Sequence, residues 1–170
     1  LHEPLCPLLP LVVLDHSQAV NVGTFHAYHE HDWGYKFGKS LLRRWFQKLN
    51  GRVAVSKPAL DFVNRFFPAS YEIIPNGIDV ERFSAEVLPI EGFRDDKLNI
   101  LFVGRHEKRK GLRHLLAAYK QVKKGLPNTR LIVVGPGNKK RYEKLVNKAN
   151  LEDVVFTGYA SDEDLPRYYR

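Results

Sequence analysis

From residue 21 onward, apolar and polar positions fall into alternating blocks. Residues 21–26, Asn-Val-Gly-Thr-Phe-His, form a short apolar run that opens into a polar loop, which predicts a buried strand with His26 at its mouth. Residues 34–49 repeat apolar side chains at helical spacing, 52–55 read as a strand, 58–67 as a second helix and 71–74 as a further strand. Pro75-Asn76-Gly77 is a turn signal, and 78–96 carries no sustained period, so a linker is predicted over 77–97. Three similar units follow, 98–124, 130–150 and 154–170, each a strand, a glycine turn and a helix. The last of them stops inside its helix. Strands alternating with helices predict an α/β chain built on parallel sheets.

The helix over 34–49 separates into two faces at 100° per residue. Phe37, Leu41, Leu42, Trp45, Phe46 and Leu49 share one side, and Lys36, Lys39, Arg43, Arg44 and Lys48 the other. Such a helix can cover a sheet and leave its charges in water, or lie on an anionic bilayer. No segment is long and apolar enough to span a membrane. Residues 1–14 are apolar but broken by Pro4, Pro7 and Pro10 and lack a basic leader, which does not read as a signal peptide. The single cysteine, Cys6, excludes an internal disulfide and fits a reducing compartment. The chain has no methionine at its start or elsewhere, and it reads as an excerpt from a longer protein.

Charge changes the picture further. The net charge is +8, yet residues 98–150 hold 14 Lys or Arg against Glu107 and Glu143, so this middle region alone carries +12. It expects an anionic partner: a nucleotide phosphate, nucleic acid or an acidic membrane surface. The basic residues concentrate where the apolar run 98–103 passes through Gly104, Arg105 and Lys110 into a helix beginning at Gly111. A loop at the carboxyl end of a strand and the amino end of a helix offers free N–H groups and a favourable dipole to an anion. Arg105 can fork two hydrogen bonds onto phosphate oxygens, and Lys110 can add a point charge from the first helical turn. Read plainly, Lys108, Arg109 and Lys110 are a solvated charge run.

A second glycine turn, Gly135-Pro136-Gly137, follows the strand 131–134. Glycine there would let backbone approach a ligand, and a simple strand-to-helix turn would use it as well. Neither turn has the dinucleotide fingerprint or a Gly-Lys-Ser/Thr phosphate loop. His26, His29, Glu30, His31 and Asp32 would suit a metal if the loop gathered them, but their spacing matches no standard zinc pattern, and no metal site is expected. His26, at a strand end, can orient a substrate or exchange a proton.

Taken together, His2-Glu3-Pro4, Gly23-Thr24-Phe25-His26, Val53-Ala54-Val55-Ser56, Ile74-Pro75-Asn76-Gly77-Ile78-Asp79, Phe102-Val103-Gly104-Arg105, Arg109-Lys110-Gly111 and Val133-Val134-Gly135-Pro136-Gly137 resemble the retaining, two-domain GT-B glycosyltransferases. Within them the chain looks most similar to bacterial phosphatidylinositol mannosyltransferases, which use GDP-mannose. The resemblance implies a partial GT-B architecture of Rossmann-like sheets: residues 1–76 as the later part of the acceptor-side domain, and 98–170 as the first half of the donor-side domain. It places Arg105 and Lys110, beside Gly104, on the donor diphosphate, and Gly135, Pro136 and Gly137 on the second donor loop. Tyr159, Ala160, Ser161 and Asp162 then face the nucleotide base, and His26 the reacting sugar. It further implies a nucleotide-sugar co-substrate, a lipid or sugar acceptor, no cofactor and no required divalent metal. The implied location is cytoplasmic, peripheral at the inner face of the membrane. The glycine loop and paired glutamates expected of such enzymes lie outside these 170 residues, so the chain by itself is expected to be inactive. The rivals are a nucleic-acid module, disfavoured because Phe102, Tyr119 and Tyr142 occupy apolar strand and helix positions, and a regulatory nucleotide binder without catalysis.

Overall fold

The computed structural model describes residues 1–27, 33–84 and 86–170. It divides into two compact units, residues 1–78 and 79–170. Each carries a three-stranded, all-parallel sheet.

In the first unit, α1 (Leu9–His16) precedes β1 (Val22–Phe25), α2 (Trp33–Phe46), β2 (Gly51–Ala54), α3 (Lys57–Phe66) and β3 (Glu72–Ile73), with strand order β1-β2-β3. The first residues extend this sheet: His2 bridges Thr24 in parallel, with Glu3 N–H donating to the Thr24 carbonyl and Thr24 N–H to that of Leu1, both at 2.8 Å. Ser56 starts α3 by accepting the Ala59 N–H on its hydroxyl, with Pro58 in the first turn where its missing N–H costs nothing. The core gathers Leu5, Leu14, Phe25, Trp45, Phe46, Leu49, Phe62, Val63, Phe66 and Phe67. The helix α2 reaches that core through Tyr35 near its start and through its C-terminal half. Trp45 and Phe46 are buried and Leu42 packs against the cluster, whereas Phe37 is 76 % and Leu41 62 % exposed. Of the apolar face read from periodicity, Leu42, Trp45 and Phe46 cover the core while Phe37 and Leu41 are exposed.

The second unit runs β4 (Leu98–Val103), α4 (Leu112–Gly125), β5 (Thr129–Val134), α5 (Lys139–Lys148), β6 (Val154–Gly158) and a four-residue α6 (Leu165–Tyr168), in strand order β4-β5-β6. Every residue of β5 is buried, as expected of a central parallel strand. Leu131 and Val133 pack with Leu112, Leu116 and Tyr119 of α4 and Tyr142 and Val146 of α5. Parallel pairing places the carboxyl ends of all three strands along one edge, with the loops after Val103, Val134 and Gly158 side by side.

The stretch after residue 78, read from sequence as linker, belongs to this second unit. Glu91–Phe93 forms a single 3-10 turn, Asp95 pairs with the buried Arg130, and Asn128 Nδ2 donates to the Asp96 carbonyl at 2.7 Å. The aperiodic pattern reported the lack of long elements here, not a lack of packing.

Candidate functional site

The carboxyl edge of the second sheet is assembled from three loops stitched by backbone hydrogen bonds. Gly104 N–H donates to the Val134 carbonyl at 2.9 Å, His106 N–H to Pro136 at 2.9 Å, and Gly135 N–H to Gly158 at 2.7 Å. This contact explains two glycines of the second turn. A Cβ on Gly135 would lie 2.2 Å from the Gly104 oxygen, and one on Gly137 2.4 Å from the His106 Cβ, and both residues have positive φ (136° and 146°). The sequence reading allowed these glycines to admit a ligand. In the structure their first partner is the neighbouring loop, so Gly135, Pro136 and Gly137 set the height of the Arg105 loop.

Lys108–Lys110 form a separate 3-10 turn, and Gly111 closes it as the N-cap of α4. Lys110 therefore stands before the long helix and not in its first turn, a correction to the sequence expectation. A Cβ on Gly104 would meet the Lys110 Cδ at 3.9 Å, so the lysine stem passes beside that glycine. Lys110 has no carboxylate partner among the described residues. Arg105 and Arg109 do: Arg105 Nε lies 3.0 Å from Glu107 Oε1, and Arg109 Nε donates to Glu107 Oε2 at 2.8 Å. The hydrogen bond from Arg109, followed by the charges of Arg105, Arg109 and Lys110, holds the Glu107 carboxyl below its usual range. Both arginine side chains remain about two-thirds exposed (64 % and 66 %), so an incoming anion can reach them and would compete with Glu107.

Sequence reasoning missed His106. Its ring lies edge-on to Tyr142 and Phe156, at 5.6 and 5.9 Å, with both ring nitrogens buried and without a hydrogen-bond partner among the described residues. Burial pushes its pKa down, so it props the loop as a neutral ring. Nothing in the sequence distinguishes this imidazole from its charged neighbours.

The third loop follows β6. Tyr159 is 74 % exposed. Ser161 is spent locally, its hydroxyl bonding the Asp164 carboxylate and accepting the Asp164 N–H, each at 3.0 Å. Asp162 lies 3.5 Å from Arg82, which also donates to the Asp162 carbonyl. Of the four residues read as facing a base, Tyr159 and Ala160 are thus left without such local ties.

The corresponding edge of the first unit carries His26, immediately after β1. The Glu3 Oε1 oxygen accepts the N–H groups of both His26 and Ala27, at 2.6 and 2.7 Å, and His2 Nδ1 lies 2.6 Å from His26 Nε2. Glu3 adopts φ of 48°, a left-handed conformation that costs a side-chain-bearing residue on the order of 1 kcal/mol. Neither His2 nor Glu3 was singled out for a role from the sequence, since the contacts span more than twenty residues. Of the cluster read as a weak metal candidate, residues 28–32 lie outside the described residues.

Comparison with known proteins fits this geometry. Residues 84–170 match the family described as glycosyl transferases group 1. The phosphatidyl-myo-inositol mannosyltransferase of Mycobacterium tuberculosis is 33 % identical over 139 residues, covering 81 % of this chain and 36 % of the relative. That of Mycobacterium leprae is 31 % identical over 165 residues, covering 95 % and 43 %. The chain thus spans between a third and a half of the length of these curated relatives. In architecture, sucrose-phosphate synthase from Thermosynechococcus elongatus aligns with a TM-score of 0.71 at 21 % identity, over 93 % of this chain and 44 % of that one. The fold is accordingly that of partial GT-B glycosyltransferases, with Rossmann-like parallel sheets, and the chain belongs to the glycosyl transferases group 1.

Proposed function

We infer that this chain is part of a retaining glycosyltransferase that moves mannose from GDP-mannose to a lipid-linked acceptor such as phosphatidylinositol. The observation that carries the reading is the cationic loop of Arg105 and Lys110 set by glycine contacts at the carboxyl edge of a parallel sheet, in a chain a third identical to phosphatidyl-myo-inositol mannosyltransferase. Ligands of open α/β sheets bind at that edge.

Cleavage of a sugar nucleotide between the anomeric carbon and the phosphate oxygen leaves a diphosphate whose negative charge grows along the reaction. Arg105 and Lys110 stabilise that charge more in the transition state than in the ground state, which is the condition for acceleration. They perform the task that a divalent metal performs in other transferases, and no cofactor is assigned. Gly135 to Gly137 hold the loop in place, and Tyr159 and Ala160 are the residues of the third loop assigned to the base. His26 is assigned to the reacting sugar on the resemblance, with retention passing through an oxocarbenium-like state in which the donor phosphate helps take the acceptor proton.

The exposed Phe37 and Leu41, on a helix that also carries Lys36, Lys39, Arg43 and Arg44, support a peripheral position on the anionic inner face of the cell membrane. No helix of the described residues is long and apolar enough to cross a membrane. The isolated 170 residues are proposed to bind donor and to transfer no sugar.

Calorimetric titration of the chain with GDP-mannose, UDP-glucose and ADP-glucose tests the donor assignment. Preference for GDP-mannose supports it. Preference for another base transfers the reading to a different donor, and no binding by any of them removes the donor site.

A further inference from the structure

The edge of the first sheet holds an arrangement that the donor loop does not explain. His2 and His26 lie side by side at the carboxyl end of β1, because His2 bridges Thr24 in parallel and His26 follows Phe25. Their rings are 4.8 Å apart between centroids, and Nδ1 of one lies 2.6 Å from Nε2 of the other. A contact that short between two ring nitrogens needs one proton between them, donated by either ring and accepted by the other. Two neutral imidazoles can make it only if their tautomers match, so each ring fixes the other.

Backbone features around the pair point the same way. The Glu3 carboxylate ties the N–H groups of His26 and Ala27 at 2.6 and 2.7 Å, which sets where the His26 backbone turns. Glu3 reaches them from a left-handed conformation that glycine would adopt more readily, yet glycine has no side chain to supply this clamp. Strain held next to a side chain assigned to substrate marks that side chain as one whose position matters.

We propose that His2 is a positioning residue for His26: it occupies the Nε2 edge of His26, fixes its tautomer, and leaves Nδ1 as the nitrogen through which His26 meets a sugar hydroxyl. The inference rests on the assignment of His26 to the reacting sugar. His2 touches no substrate in this scheme and acts only through the neighbouring ring. The Glu3 clamp fixes the backbone and His2 fixes the ring, so the two have separable consequences.

The test uses the 170-residue chain with isotopically labelled imidazole nitrogens, observed by NMR at neutral pH. In the wild-type chain the His26 nitrogens are expected to give one protonated and one unprotonated signal, the mark of a single tautomer. In His2→Phe, which keeps a ring and removes its nitrogens, they are expected to move towards the averaged positions of a mobile imidazole. His2→Asn places an amide atom where Nδ1 stands and is expected to restore the wild-type pattern. Unchanged backbone signals from Val22–Phe25 show that the sheet is intact in each variant.

His26 signals that stay at wild-type positions in His2→Phe overturn the proposal, as does failure of His2→Asn to restore them. Should His2→Phe not fold, His2→Ala against His2→Asn makes the same comparison. Addition of GDP-mannose separates this inference from the functional reading. If the ring pattern depends on residue 2 while GDP-mannose leaves His26 unmoved, the pairing stands and the assignment of His26 to the sugar fails.

Discussion

The two sheets end in edges built on opposite principles. In the second unit, backbone makes the site: glycines let one loop lie against another, three inter-loop hydrogen bonds fix the height, and the exposed cations ride on top. In the first unit, side chains make it: a carboxylate clamps two N–H groups and one imidazole fixes another. The difference follows from the task each edge is proposed to perform. A diphosphate is recognised by charge and free N–H groups, which tolerate mobile cations on a rigid base. A hydroxyl of a sugar is recognised by one nitrogen in one tautomer, which needs a fixed ring.

The comparison breaks most readily at its backbone side. Gly135→Ala drives a Cβ to within 2.2 Å of the Gly104 oxygen from a backbone conformation unfavourable for alanine. It is expected to destabilise the second unit by about 3 kcal/mol or more and to lower nucleotide binding in what remains folded. Denaturant unfolding measures the first effect and calorimetry the second. A stable variant with unchanged binding would mean that the loops are free to separate.

On the side-chain edge the matching change is Glu3→Ala. It leaves two N–H groups without their acceptor and is expected to cost about 2 kcal/mol. Amide exchange at His26 and Ala27 should accelerate while that of β5 stays slow. Acceleration of both would show that the clamp supports the whole chain and not one edge.

These two edges also differ in how far the sequence disclosed them. The order of strands and helices from residue 21 onward was legible because parallel strands leave apolar runs and their helices leave 3.6-residue periods. The placement of Gly104 and Arg105, and of the second glycine turn, at strand ends was legible because each follows its strand directly in the sequence. The placement of Lys110 in its own 3-10 turn was not, since a single turn leaves no periodicity. Proline interruptions hid α1, although Pro10 stands in its first turn, where proline is tolerated. The contacts of His2 and Glu3 with His26 bridge 24 and 23 positions, and no spacing rule reaches across a strand pairing. The mutual fit of Gly135 and Gly104 was hidden for the same reason.

A pH-dependent difference is expected at the opposite end of the second sheet. The Asp153 carboxyl is held below its usual range, first by the hydrogen bond from Lys123 and then by that from Lys97. A depressed carboxylate contributes stability that is present above the ordinary pKa near 3.8 and lost as pH falls through the lower folded value. Asp153→Asn should therefore remove up to about 1 kcal/mol at neutral pH and almost nothing once the pH has fallen through the lowered folded value. A variant equally destabilising at both pH values would assign Asp153 a packing role.

The smallest expected effect sharpens the donor edge itself. Glu107 holds Arg105 and Arg109 in the absence of another anion, so Glu107→Gln should tighten pyrophosphate binding a few-fold and lessen its salt dependence little. Weaker binding in that variant would show that Glu107 shapes the arginines for the ligand and does not compete with it.

The measurement closest to the central claim is calorimetric binding of GDP, UDP, ADP and inorganic pyrophosphate to the chain, repeated with Arg105→Ala and Lys110→Ala. The account predicts that one nucleoside diphosphate binds best and that either substitution weakens it more than tenfold, about 1.4 kcal/mol. Equal weak binding of all four, unchanged by the substitutions, would contradict it and reduce the basic loop to a solvated surface.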